Sequence, residues 1–136
     1  MIDLKKVALE TKEAEVEYLG IPGFIIRVRH VSRTRSQEIL EKCQVPQMEN
    51  GMIVGYEQDD AKFVKELASA AVVGWKGLTV EGVEKLMLVD LVDQDPDTIV
   101  EYSPDNAEQL LKSSRSFLTF INETVFRIDS FRTKRS

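Results

Sequence analysis

Residues 13 to 29 alternate in a way that leaves the backbone few choices. Glu13, Glu15 and Glu17 are interleaved with Ala14, Val16 and Tyr18; beyond Gly20-Ile21-Pro22-Gly23, the apolar Phe24, Ile26 and Val28 alternate with Ile25, Arg27 and Arg29. A period of two marks a strand with one face in a core and the other in water. The Gly- and Pro-containing segment between the two runs supplies a turn. The expected element is a β-hairpin over residues 14–30, with glutamates on one strand facing arginines on the other.

The rest of the chain reads as mainly helical. Ile2, Leu4, Val7 and Leu9 suit a short helix over 2–10, although one or two turns alone are marginal. Ser32 is placed to cap a helix over 33–43 anchored by Ile39 and Leu40. Residues 44–58 contain Pro46, Asn50-Gly51 and Gly55 without a sustained period, which predicts a loop. Asp59 or Asp60 caps the next helix, whose buried face follows Phe63, Leu67, Ala71 and Trp75 at helical spacing. Thr79 caps a further helix to about Val92, followed by an acidic loop over 93–97 and an extended Ile99–Tyr102.

The last third begins with Tyr102-Ser103-Pro104-Asp105-Asn106. Ser103 is a good N-cap and Pro104 suits the first helical position, where its missing N–H costs nothing. Asp105 and Glu108 place negative charge at the positive end of the helix dipole. Helices are expected over 104–113 and 115–131, with a kink marked by Ser113, Ser114 and Ser116. The fold class expected is α+β but predominantly α-helical: the N-terminal hairpin followed by about five helices in a single domain over 1–136, with 60–131 as its helical part.

Composition narrows the class. At 136 residues, 43% hydrophobic and 30% charged, the chain is long enough for a core without disulfide or metal staples. The longest apolar stretches, such as Leu86-Met87-Leu88-Val89, are far below a membrane span of about 20 residues. Nothing near Met1 resembles a signal peptide, and the single Cys43 cannot form an internal disulfide, so a cytoplasmic location is expected.

Charge is unevenly distributed. Residues 81–108 hold nine acids, among them Asp93, Asp95 and Asp97, against the single Lys85. Arg27, Arg29, Arg33 and Arg35 form one basic cluster, and Arg127, Arg132, Lys134 and Arg135 another. Opposite patches favour association with a charged partner or with further copies of the chain.

Tests for chemistry fail in turn. His30 is the only histidine, which excludes a two-histidine metal site, and no nucleophile motif accompanies it. Asp93-x-Asp95-x-Asp97 begins like a calcium loop, but Thr98 stands where the turn glycine belongs and Pro104 where a bidentate glutamate belongs. Gly74-Trp75-Lys76-Gly77 has neither Walker nor dinucleotide-binding spacing. No enzyme activity, cofactor or metal is expected, and neither nucleic acid nor membrane is an expected partner. Along the final helix Phe117, Leu118, Phe120, Ile121, Val125, Ile128 and Phe131 share one arc and Phe126 falls outside it. A large aromatic beside Arg127 and Arg132 is either an intermolecular contact or a second buried side.

A helix closing on Trp75-Lys76-Gly77, followed by the Tyr102-Ser103-Pro104-Asp105-Asn106 helix start, resembles the tail assembly chaperones of long-tailed bacteriophages. The resemblance covers about residues 60–131, with weaker support over 14–42. Residues 78–101 depart from it, being longer than the short loop usual there. It implies a chaperone that binds the tape-measure protein and helps recruit tail tube subunits. It also implies a homo-oligomer working in the cytoplasm of the infected host, absent from the mature virion. Many such proteins are the short product of a programmed ribosomal frameshift, so a longer form of the same chain is a further expected partner. The alternatives are a head–tail joining protein or a small protein-binding adaptor or regulator. The residues singled out for contact are Phe126, Arg127, Arg132, Asp93, Asp95, Asp97, Arg27 and Arg29.

Overall fold

The computed structural model describes residues 2–9, 11–127 and 131–132. Among these, six helices and five strands follow one another: α1 (Leu4–Val7), β1 (Glu13–Glu17), β2 (Ile25–Arg29), α2 (Arg33–Lys42), β3 (Gln44–Glu49), β4 (Met52–Gln58), α3 (Asp60–Ala71), β5 (Val72–Lys76), α4 (Val80–Leu86), α5 (Pro104–Ser113) and α6 (Arg115–Val125). The strands form two antiparallel sheets, β1-β2-β5 and β3-β4. The predominantly helical expectation is therefore wrong: the chain is a mixed α+β protein with two separate sheets.

The alternating segment folds as its pattern requires. Glu13 pairs with Arg29 and Glu15 with Arg27 across β1 and β2. Phe24, Ile26 and Val28 are completely buried beneath them. Against that face pack Leu67, Ala68 and Ala71 of α3, Leu110 and Leu111 of α5, and Phe117, Ile121 and Val125 of α6. The rings of Phe24 and Phe117 stack with centroids 6.0 Å apart, and Tyr18 meets Phe120 edge-on at 5.0 Å. These contacts hold the helical layer to the sheet.

Three corrections have local causes. Helix α3 ends at Ala71, not at Trp75, because Val72, Val73 and Gly74 are poor helix formers and β2 offers a partner strand. Trp75 consequently lies on a strand, opposite Ile26. Helix α4 ends at Leu86 rather than near Val92; prolonging it would set Asp90 and Asp93 at the negative end of the helix dipole. Residues 44–58, expected as a loop, form the β3–β4 hairpin.

The helix starts hold. Hydroxyls of Ser32, Thr79 and Ser103 and the carboxylate of Asp59 each accept from a first-turn N–H. The kink is a full break at Ser114, which ends α5 and caps α6 through Phe117 N–H. Helix α6 ends at Val125; of its expected continuation, residues 128–130 lie outside the described residues, as do Lys134 and Arg135.

Candidate protein-interaction site

The β3–β4 hairpin carries a run of exposed apolar side chains: Val45, Met48, Met52, Ile53, Val54 and Tyr56. Asn50 and Gly51, with φ of 53° and 79°, supply the two left-handed residues of a tight hairpin turn. At the base, Asp59 N–H donates to the Cys43 carbonyl at 2.6 Å, so the hairpin springs from the junction of α2 and α3. Every residue of β3 is exposed, and along β4 only Gly55 is half-buried. The hairpin projects from the body instead of covering it.

Its register sorts its side chains. Pro46 faces Tyr56, and Gln47 faces Gly55; the next pair is Met48 with Ile53, so Val54 is the extra residue of a β-bulge. Alternation from these pairs puts Pro46, Met48, Ile53 and Tyr56 on one face, with the uncharged Gln44 and Gln58 at its base. The opposite face mixes the exposed Val45 and Met52 with Gln47, Glu49 and Glu57, and the Gln47 amide donates to the Glu57 carboxylate at 2.6 Å. Met48, Ile53 and Tyr56 are 60%, 54% and 62% exposed. An isolated two-stranded hairpin is marginal in water, and this one leaves its apolar side chains open to solvent.

The residues singled out from sequence are scattered over the molecule. Arg27 and Arg29 do not form a free basic patch: both reach the carboxylate of Glu13, at 3.0 and 3.1 Å. Lys76 lies 3.9 Å from Glu15 on the same sheet face. Asp93, Asp95 and Asp97 are exposed, and the Asp95 carboxylate accepts from the N–H of Asp97 at 2.9 Å within the loop. Phe126 ends α6 half-buried against the core, while Arg127 and Arg132 are exposed.

Reactive groups lie apart from one another. His30 is half-buried, its ring edge-on to Phe131 at 5.2 Å beside a cleft of 680 Å³ that also takes in Arg29, Arg35 and Glu38. Cys43 is fully buried at the end of α2. Loss of solvent, and secondarily the charge of Glu66, push its thiol up from the ordinary range. Among the described residues, no group of three or more His, Cys, Asp or Glu is placed to hold a metal ion. None of the described helices is long and apolar enough to cross a membrane.

The family described as YdaY prophage protein matches residues 26–136, which takes in the hairpin and the whole helical layer. The chain belongs to that family. Its origin is therefore phage, carried as a prophage. Neither the curated proteins nor the solved structures contain a match to it. Within this YdaY-family chain the apolar hairpin was invisible to hydrophobic periodicity because the bulge at Val54 breaks the alternation of β4; Asn50-Gly51 between β-prone residues was the signal for it.

Proposed function

We propose that this prophage protein is a tail assembly chaperone that holds the tape-measure protein through the apolar face of its β3–β4 hairpin and helps bring tail tube subunits to it. The observation that carries this reading is the hairpin itself, an uncharged strip of Pro46, Met48, Ile53 and Tyr56 held away from the core. A tape-measure protein presents long apolar helices that aggregate unless covered, and such a strip suits them. Burying the exposed part of these side chains yields a gross gain on the order of 4–6 kcal/mol, comparable to the cost of association. Reversible holding of this kind needs several copies, and a homo-oligomer together with a longer frameshifted form would supply them.

Membership of a prophage family supports the setting. The Ser103-Pro104 helix start supports the resemblance, since Ser103 caps α5 with Pro104 in its first turn. Trp75-Lys76-Gly77 supports it less than the sequence suggests, because it ends a strand and not a helix. Virions purified from the induced prophage, probed for this chain, test the assignment: a chaperone is absent from them, whereas a head–tail joining protein is present in fixed copy number. A slippery heptamer near the end of the gene, with an overlapping downstream frame, is the expected genetic companion.

A further inference from the structure

A second surface, remote in sequence from the hairpin, is built for a different contact. An open groove of about 470 Å³ lies between α4, the segment 87–101 and α5. Trp75, Leu78 and Leu110 line it together with Val83, Met87 and Ile99.

Its outer wall is held in place. The carbonyls of Thr98 and Pro96 accept from the N–H groups of Val80 and Glu81, and Val100 N–H donates to Leu78. The Trp75 indole N–H donates to the Val100 carbonyl at 2.9 Å. The groove is therefore shaped before anything enters it. With these backbone groups already paired, the wall offers little to an incoming strand, and a segment whose own backbone is satisfied fits better.

The charge of the segment that walls the groove, with Glu101 in its lining, points to the occupant. Residues 81–108 bear nine acids and one lysine. None of the five ion pairs between described residues uses any of these acids, in contrast to the glutamates of the sheet face. Leu88, Val92 and Ile99, in the same segment, stand 101%, 88% and 60% exposed. We propose that this groove is a docking site for a cationic amphipathic helix of a partner protein, with the helix's apolar stripe in the groove and its lysines or arginines over the acidic rim.

Trp75, the only tryptophan, lines the groove and reports on it directly. The full chain is titrated with three synthetic peptides: a Lys/Leu helix with one leucine stripe, its Glu/Leu counterpart, and a Lys/Leu peptide of identical composition whose order destroys the stripe. The Lys/Leu helix is expected to shift Trp75 emission saturably, and to bind about tenfold more weakly when salt is raised from low to high concentration. Ile99→Ser and the double variant Asp90→Asn/Asp93→Asn, all at exposed positions, are expected to keep the circular dichroism of the parent and to weaken binding at least about fivefold. Equal binding of the acidic helix or of the stripeless peptide overturns the proposal, as does unchanged affinity in both variants. An emission shift that depends on the protein's own concentration, without peptide, also overturns it by assigning the groove to a second copy.

Discussion

The indole N–H of Trp75 donates to the Val100 carbonyl at 2.9 Å, tying the edge strand of the main sheet to the segment that carries the acidic loop. Tyr102 completes the link: its hydroxyl donates to the Val72 carbonyl at 3.0 Å and its ring stands edge-on to Trp75 at 5.3 Å. Residues 72–76 and 100–102 are thus clamped from both sides, which explains how the long connection between them keeps a defined path.

Removing either donor should loosen that clamp. Trp75→Phe and Tyr102→Phe are each expected to cost about 1–2 kcal/mol, because a half-buried carbonyl loses its partner. The double variant should cost less than the sum of the two, since the rings touch. Urea denaturation of the four proteins measures both effects.

Gly77 and Gly55 should respond oppositely to alanine. Gly77 has φ +79°, and a Cβ there would collide with the backbone oxygen of Gly23. Gly77→Ala is expected to lower stability by at least about 3 kcal/mol, since backbone must move as well as accept a strained φ. Gly55 has open space around it and no positive φ, so Gly55→Ala should fall within about 0.5 kcal/mol of the parent. Thermal melts distinguish the two.

Cys43 sets a pH limit. Its thiol is raised by burial, so the folded state keeps the proton at a pH where the unfolded chain has begun to lose it. The contribution to stability is then complete below the ordinary thiol value of 9.0 and declines as pH rises above it. Denaturation midpoints measured from pH 7 to 10 should fall at the upper end, and Cys43→Ala should flatten that part of the fall. A thiol reagent should label native Cys43 only at the rate of opening.

The hairpin should be the least protected sheet. With the residues of β3 and β4 exposed apart from the half-buried Gly55, amides of Met48 and Ile53 are expected to exchange with deuterium orders of magnitude faster than those of Ile26 and Trp75. Occupation by a partner should slow exchange in the hairpin selectively.

Much of the scaffold was legible in sequence. The Glu/Arg alternation of residues 13–29 specified a hairpin and which face of it is buried, because a one-residue slip would turn Ile26 and Val28 to solvent. Caps at Ser32, Asp59, Thr79 and Ser103 were legible because a short polar side chain before an apolar run meets a local need of the backbone. Strand β5 was hidden, since Phe63, Leu67, Ala71 and Trp75 keep helical spacing across the point where the backbone changes, and only pairing with β2 decides the matter. The exposed β3–β4 hairpin was hidden for a related reason: one extra residue at Val54 turns a clean alternation into an irregular apolar run. The pairing of Arg27 and Arg29 with the single carboxylate of Glu13 was not legible, because sequence proximity does not show which acid lies across the sheet.

The central claim concerns what the hairpin covers. Co-expression of this chain with the tape-measure protein of the same prophage, measuring the soluble fraction of the latter, tests it most directly. The parent chain should raise that fraction several-fold and co-purify with it, whereas Met48→Ser/Ile53→Ser/Tyr56→Ser, folded and equally stable because these side chains are exposed, should do neither. A tape-measure protein that is as soluble without the chain as with it, or is rescued equally by the triple variant, would contradict the account.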